Sequence, residues 1–283
     1  MSHVALQHVV VRMLYDPAFV ERVYDDPHAA TRDCDLTDDE RSWLVDADRR
    51  AWGNDPLRRA RSLTGLLEEF AVSCARLVRA LGVDAASRRL DGFFSSAAFH
   101  HDLQQGLLLA DSFGHWLAGR EAMNGVDADT ALAEHPIEHA IVRARQAYTE
   151  RGTFARPEGA LAWAPGVDLA IAREGAVASF ASALGALRSH PRGLHDAVID
   201  AGYVLDSPPP TSAAAVGVLV LGQTGDVGLA TVSAELATIL EACRRPIAFD
   251  DLCRHAAKVG AGEDDVRGIV ESFADDGVIV RGR

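Results

Sequence analysis

The strongest constraint on the fold lies in the last seventy residues, where short β-branched runs give way to helical periodicity. Two apolar runs, Val216–Leu221 and Val227–Val232, flank a loop whose two glycines can close a hairpin. Three amphipathic helices are predicted next, the first capped by Ser233 and the second preceded by Asp250. The third has its apolar residues at helical spacing, namely Val266, Ile269, Val270 and Phe273.

A last short strand is predicted at Val278–Val280, after the helix stop at Asp276-Gly277. Strands, three helices and a terminal strand together predict a winged-helix-like unit over residues 216–283. Units of this kind bind either nucleic acid or a peptide. This one carries seven basic against eleven acidic residues, a net charge of −4, within a chain of formal net charge −13. Because affinity for phosphate backbones comes from clustered Lys and Arg, the charge argues against nucleic acid.

Residues 1–206 have the periodicity and the helix-start signals of a helical bundle. Thr37 and Glu40 have the spacing of a capping box. Asp-Pro pairs place an N-cap acceptor before a proline that fits the first helical position, and they lie at 16–17, 26–27 and 55–56. The predicted fold class is therefore mainly α with a small α+β part.

Longer elements are predicted further along the chain. One apolar stripe predicts a single helix from Pro56 to Leu81, and another helix is predicted over Asp129–Tyr148. A pair of short strands is predicted near 161–172, on either side of a Pro-Gly turn. Residues 207–215 contain three consecutive prolines, which favour an extended conformation, and are interpreted as a linker between the two domains.

His135, Glu138 and His139 match the H-x-x-E-H pattern of one class of zinc peptidases, in which two histidines bind zinc and the glutamate activates water. Pro136 fits best in the first helical turn, which would place His135 at the N-cap and separate the imidazoles. The structural alternative is that His135 caps the helix, Glu138 favours its positive end and His139 lies at the surface. A zinc metallopeptidase stays open as a third hypothesis, and no catalytic or metal-binding residue is assigned.

The remaining sequence features exclude several other classes. The chain has no nucleophile elbow, dinucleotide fingerprint or P-loop. Its four cysteines are widely spaced and form no C-x-x-C pair, as is typical of thiols in a reducing cytoplasm. No apolar run reaches the length of a membrane span, and the N-terminus lacks a signal-peptide pattern. We expect a cytoplasmic protein without a membrane partner.

Several groups of residues in the helical part resemble a known family. They are Leu36-Thr37-x-x-Glu40-Arg41-x-Trp43-Leu44, Asp48, Ala51-Trp52-x-x-Asp55-Pro56-x-Arg58-Arg59, Leu63-x-x-Leu66-x-Glu68-Glu69-Phe70, Phe93-Phe94-Ser95-Ser96-x-x-Phe99-His100 and Phe113-Gly114-x-Trp116-Leu117. This arrangement resembles the helical partner proteins of multinuclear non-heme iron-dependent oxidases, which accompany those oxidases in methanobactin-type and related ribosomal peptide pathways. The resemblance covers much of residues 5–200.

The terminal unit is similar to the peptide-recognition element of peptide-modifying pathways, a winged-helix-like fold also found in the chaperone of pyrroloquinoline quinone biosynthesis. In that family the leader of a precursor peptide adds as a strand to the sheet edge and packs on the third helix. The family has three strands before the helices, whereas two are predicted here. Carried over by position, the similarity implies a groove lined by Val227, Leu229, Thr231, Val266, Arg267 and Val270.

Together the two resemblances imply a non-catalytic partner subunit that binds an oxidase and a precursor peptide, whose cysteine-containing core is oxidatively modified. They imply that the iron belongs to the oxidase, so no cofactor is expected in this chain. Residues 41–90 carry ten arginines against six acidic residues, which fits either a solvated face or a docking surface. The interface candidates are Trp43, Trp52, Arg58 and Arg59. The main alternative is a winged-helix transcription regulator with a helical sensor domain, for which a basic third helix would be expected.

Overall fold

The computed structural model describes residues 3–53, 57–119, 122–124, 126–127, 131–149, 158–205, 212–222 and 227–282. The protein is mainly helical with a small antiparallel sheet part, which confirms the predicted fold class at this level. The chain forms two compact units. The first comprises Met1–Ala71 and Leu77–Val126, and the second comprises Val72–Arg76 and Asp127–Arg283.

The first unit consists of short helices. They are α1 (His3–Tyr15), α2 (Pro17–Asp25), α3 (Pro27–Ala30), α4 (Asp38–Asp46), α5 (Arg58–Glu69), most of α6 (Ala71–Leu81), α7 (Val83–Gly92), α8 (Ala97–Gln104) and α9 (Leu109–Leu117). The predicted caps are confirmed at Asp16 and Asp26, and Thr37 and Glu40 form the predicted capping box. The third Asp-Pro pair, at residues 55–56, lies outside the described residues.

An aromatic cluster forms part of the core of the first unit. The ring centroids of Phe93, Phe94, Phe99 and Phe113 lie 5.1 to 5.7 Å from their neighbours in the cluster, mostly edge to face. All four side chains are fully buried. Such pairs add about 0.5–1.5 kcal/mol each beyond the burial of their area. The phenylalanines of the resembling motifs are therefore structural.

The single helix predicted from Pro56 to Leu81 is wrong, because α5 and α6 are separate helices. Phe70 stands between them with φ −119° and ψ 44°, outside the helical region. The N–H groups of Val72 and Ser73 donate to the buried carboxylate of Glu138 at 2.7 and 2.9 Å. A continuous helix would direct these N–H groups to carbonyls one turn earlier. The distant carboxylate therefore accounts for the start of a new helix.

The strands of the second unit form two small sheets. The elements are β1 (Leu161–Trp163), β2 (Val167–Arg173), β3 (Ala215–Gly222), β4 (Val227–Val232) and β5 (Ile279–Arg281). One antiparallel sheet has the order β2-β3-β4, and the other pairs β1 with β5. Both strands predicted near 161–172 are present, but they do not pair with each other. Gly166, with φ +88°, turns the chain between them and sends each strand to a different sheet.

The helices of the second unit are α10 (His135–Thr149), α11 (Ala176–Arg188), α12 (Leu194–Ile199), α13 (Ala201–Val204), α14 (Ala234–Glu241), α15 (Phe249–Ala256) and α16 (Glu263–Asp275). Of the helix predicted over 129–148, residues 129–130 lie outside the described residues, and α10 itself begins at His135. The last three helices occur where they were predicted, and Ser233 caps α14. Asp250 lies in the first turn of α15 and does not precede it. The final strand begins one residue later than predicted.

Helices α10 and α14 pack on opposite faces of the sheet. Alternate residues of a strand point to opposite faces, and two glycines of β3 allow the close approaches. A Cβ on Gly222 would lie 3.0 Å from the Ala144 Cβ of α10. A Cβ on Gly217 would lie 2.5 Å from the Ala237 Cβ of α14. The three-stranded sheet is therefore covered on both faces along β3.

These units differ from the predicted division into 1–206, a linker at 207–215 and 216–283. Strand β2 pairs along its whole length with β3, from Val167 opposite Leu221 to Arg173 opposite Ala215. That pairing places β2 in the same unit as the last three helices. Of the predicted linker, residues 207–211 lie outside the described residues, and β3 already begins at Ala215.

Candidate functional site

Strand β4 directs a row of backbone groups away from the sheet. In an antiparallel ladder, successive residues point their N–H and C=O groups to opposite sides. Gly222 donates its N–H to the Gly166 carbonyl at 2.6 Å. The even-numbered residues of β3 therefore point their N–H and C=O groups toward β2, and the odd-numbered residues point theirs toward β4. Leu219 therefore faces β4, where it is paired with Ala230. The neighbours of Ala230 along β4, which are Val227, Leu229 and Thr231, consequently point their backbone groups outward.

The outer side of β4 has the properties of an exposed sheet edge. In the described part of the chain, no strand lies beyond β4 in its sheet. Val227 and Leu229 are half-buried, and Thr231 is exposed. Outward N–H and C=O groups on such an edge can pair with an extended peptide, largely independently of its sequence. The structure thus places three of the six predicted peptide-binding residues side by side on one edge.

The opposite edge of the sheet, at β2, is occupied by side chains. Leu169 donates its N–H to Asp168 Oδ1 at 2.7 Å, and its carbonyl accepts a hydrogen bond from Arg244 Nη2 at 3.3 Å. Asp168 is buried and pairs with both Arg143, at 2.5 Å, and Arg244, at 2.8 Å. The two edges of the sheet therefore differ, and the middle of β2 is not available for pairing.

Asp168 and Arg244 did not emerge as functional candidates from the sequence. A signal was present, since Asp168 is the charged residue inside the apolar run Val167–Ile171. A buried charge requires a partner, because its desolvation is otherwise too costly. The two partners of Asp168 come from α10, where Arg143 lies 25 residues away in sequence, and from the turn after α14, which supplies Arg244.

The predicted residues of the third helix, α16, do not join the β4 edge. Val266 and Val270 are 0% and 1% exposed and belong to the core. Arg267 is exposed, but it pairs with Glu263 at 2.7 Å and lies over the Phe249 ring. The apolar stripe of α16 packs inward against α15 and β5, so neither valine is accessible to a peptide.

The exposed side of α16 is acidic. Its first turn presents Glu263, Asp264 and Asp265, and Glu271 and Asp275 follow, with Arg267 as the basic residue of the helix. A helix that reads DNA needs a basic surface to approach the phosphates. The charge of α16 therefore argues against a transcription regulator.

The H-x-x-E-H residues lie at the start of α10. His135 is the first helical residue and not an N-cap, and His139 is buried, so its predicted surface position is wrong. Both carboxylate oxygens of Glu138 accept hydrogen bonds from α6, including one from Ser73 Oγ at 2.5 Å. Burial raises the pKa of Glu138 to about 7, although the hydrogen bonds from Ser73 and Val72 oppose the shift. Both oxygens of Glu138 are therefore engaged at the start of α6, whereas the glutamate of a metallopeptidase needs an oxygen available to activate water.

The four interface candidates of the first unit differ in accessibility. Trp43 is 52% exposed. Trp52 is half-buried and donates its Nε1–H to Tyr24 Oη at 3.0 Å. Arg58 donates to the Leu14 carbonyl at 3.2 Å, and Arg59 pairs with Asp91 at 2.9 Å. Trp43 thus presents an apolar surface to solvent, whereas the other three side chains connect elements of the unit.

Comparisons with protein-family models and with curated proteins find no match to this chain. Among the helices described above, none has the combination of length and apolar character that crossing a membrane requires. All four cysteines are free thiols, of which Cys74 and Cys243 are buried.

Proposed function

We propose that this chain is a non-catalytic partner subunit that binds a multinuclear non-heme iron oxidase together with the leader of a ribosomally made precursor peptide. In this role it presents the cysteine-containing core of the peptide for oxidative modification by the oxidase. The observation that carries the proposal is the open edge of β4. The resemblance of the helical motifs to oxidase partner proteins supports the proposed binding to the oxidase.

In the proposed complex the leader pairs with β4 as an additional strand. Val227, Leu229 and Thr231 each offer one N–H and one C=O group on the outer side of β4. Hydrogen bonds of this kind bind an extended chain with little demand on its sequence, and the adjacent side chains add selectivity. The occupied edge at β2 is consistent with a single binding position for the peptide.

The number of strands in the larger sheet of the second unit also supports the similarity to the peptide-recognition element. The sheet formed before α14, α15 and α16 has three strands, β2, β3 and β4, which is the number of strands that the resembling family has. The strand that was not counted from the sequence is β2. In this unit it is separated from β3 by α11, α12 and α13.

The proposed division of labour assigns the iron and the oxygen chemistry to the oxidase. This subunit contributes affinity, because a tethered leader raises the effective concentration of the peptide core at the metal site. In the first unit, Trp43 is the proposed anchor for the oxidase, since exposed tryptophans are enriched among residues that dominate interface energies.

The test begins with the genes beside this chain's gene, where we expect an iron oxidase and a short cysteine-containing precursor peptide, and co-expresses both with this chain. We expect the three components to co-purify, and the mass of the peptide to change only when both proteins are present. We expect Trp43→Ala to reduce recovery of the oxidase without reducing recovery of the peptide. A folded chain that retains neither the oxidase nor the peptide would refute the proposal.

A further inference from the structure

The side chains at the β2 edge form a defined cluster, here called the edge clamp, which consists of Asp168, Arg244, Arg143 and Glu241. Arg244 is its centre. It pairs with Asp168 at 2.8 Å and with Glu241 at 2.6 Å, and it donates to the Leu169 carbonyl of β2. Its guanidinium carbon lies 4.6 Å from the centroid of the Trp163 ring. One side chain therefore contacts a backbone carbonyl, two carboxylates and an aromatic face.

The edge clamp satisfies both backbone groups that an incoming strand would need at the middle of β2. Leu169 points its N–H and C=O groups away from β3. Its neighbours Asp168 and Ala170 point their backbone groups toward β3, as the hydrogen bond between Gly222 and Gly166 establishes for the even-numbered residues. Asp168 accepts the N–H and Arg244 donates to the carbonyl. Val167, the preceding outward residue, donates its N–H to the Ala164 carbonyl at 3.1 Å. Ile171, the next residue of β2 that points its backbone groups away from β3, lies beyond the clamp.

The Ile171 side chain is apolar and accessible. Ile171 is 55% exposed, and it borders an open groove of about 320 Å³ that is also lined by Pro136 and Ala214. An edge strand with an exposed apolar residue is a site at which a second copy of the same strand can pair. The clamp blocks the backbone groups next to Ile171, so the accessible part of β2 is too short to form a ladder of its own.

We infer that the Asp168–Arg244 clamp closes the β2 edge against strand pairing with a second copy of this chain, which leaves β4 as the pairing edge of the sheet. The partner excluded at β2 is another β2 strand. Antiparallel β2–β2 pairing about a two-fold axis would bring the exposed Ile171 side chains of the two copies close together on one face of the joined sheet. This inference concerns the edge opposite the proposed peptide site. It does not depend on whether β4 binds a leader.

The test is Arg244→Ala, with Arg245→Ala as the matched control because Arg245 is the adjacent exposed arginine. The oligomeric state is measured by sedimentation over a wide range of concentrations, and hydrogen exchange is followed in the segment 167–173. We expect the apparent dissociation constant for self-association of Arg244→Ala to fall about tenfold or more below that of the unchanged chain. Segment 167–173 should gain protection as the concentration rises, whereas Arg245→Ala should behave as the unchanged chain.

Arg244→Gln covers the case in which the alanine variant does not fold. Glutamine retains part of the stem that packs on Trp163 but cannot bind Asp168, Glu241 and the carbonyl together. We expect it to self-associate as well, with the same concentration-dependent protection of 167–173. If a variant that circular dichroism shows to be folded has the same oligomeric state and the same exchange as Arg245→Ala, the inference is overturned. Association that leaves exchange in 167–173 unchanged would also overturn it, because β2 would then not be the contact.

Discussion

Replacing Glu138 with alanine tests whether this residue is a structural cap for α6 or a catalytic base. The carboxylate accepts hydrogen bonds from the N–H groups of Val72 and Ser73 in a fully buried position. Without it, two buried backbone donors have no acceptor, at about 1–3 kcal/mol each. We therefore expect the free energy of unfolding at pH 7 to decrease by about 2–6 kcal/mol, which is the cost of two unpaired buried donors.

The measurement is urea unfolding followed by circular dichroism, with Ser73→Ala and Glu68→Ala for comparison. Ser73→Ala removes one hydroxyl donor and leaves both backbone donors paired, so we expect a loss of about 1 kcal/mol. Glu68 is exposed, and we expect its replacement to change stability by less than about 0.5 kcal/mol. A loss below about 1 kcal/mol for Glu138→Ala would refute the capping role, since that is no more than one ordinary hydrogen bond contributes.

The pH dependence gives a second readout of the same residue. Burial raises the pKa of Glu138 from its ordinary value of 4.5 to about 7 in the folded chain. Between these two values the folded state binds more protons than the unfolded state. Stability should therefore fall as the pH rises through this window, by up to roughly 3 kcal/mol. Glu138→Gln cannot titrate, so its stability should lack this component. An unchanged profile in the glutamine variant would assign the pH dependence to other groups.

Two further predictions concern packing and capping. In Gly217→Ala the new Cβ would lie 2.5 Å from Ala237 Cβ and 2.7 Å from Val232 Cγ2, so α14 must shift, and we expect a loss of about 1–3 kcal/mol in thermal unfolding. Its control, Gly228→Ala, meets its nearest neighbour at 3.5 Å and should be nearly neutral. Thr37→Ala removes one side of the capping box, and we expect urea unfolding to show a loss of about 1 kcal/mol. Unchanged stability of Gly217→Ala would contradict the close approach to α14, and unchanged stability of Thr37→Ala would contradict the capping box.

Features of the fold that depend on neighbours in sequence were predictable. The caps at Asp16, Asp26 and Ser233 act within one turn, so spacing alone locates them. The same holds for the last three helices, whose apolar stripes are complete within each segment. The hairpin of β3 and β4 was predictable because its strands are separated only by a short loop.

Features that depend on distant partners were not predictable. Phe70 interrupts a continuous apolar stripe because Glu138, 66 residues from Val72, captures the N–H groups after it. Strand β2 pairs with β3 across the intervening helices, so its membership of the sheet has no local signal. Periodicity identified Val266 and Val270 as one face of α16, but it does not say whether that face meets the core or a ligand. The core position is the one that a small unit requires in order to bury enough apolar surface.

The outward-pointing groups of β4 support the most direct test of the proposed function. Thr231 is exposed and directs its N–H away from β3, so Thr231→Pro removes a donor that the sheet itself does not use. Thr231→Ala is the matched control, because it removes the same side chain and keeps the N–H. The measurement is fluorescence anisotropy of a labelled leader from the cysteine-containing precursor peptide that we expect to be encoded beside this chain's gene. We predict that the dissociation constant rises about tenfold or more for Thr231→Pro in a folded chain and changes little for Thr231→Ala. Equal affinity of the two variants would contradict binding of the leader along β4.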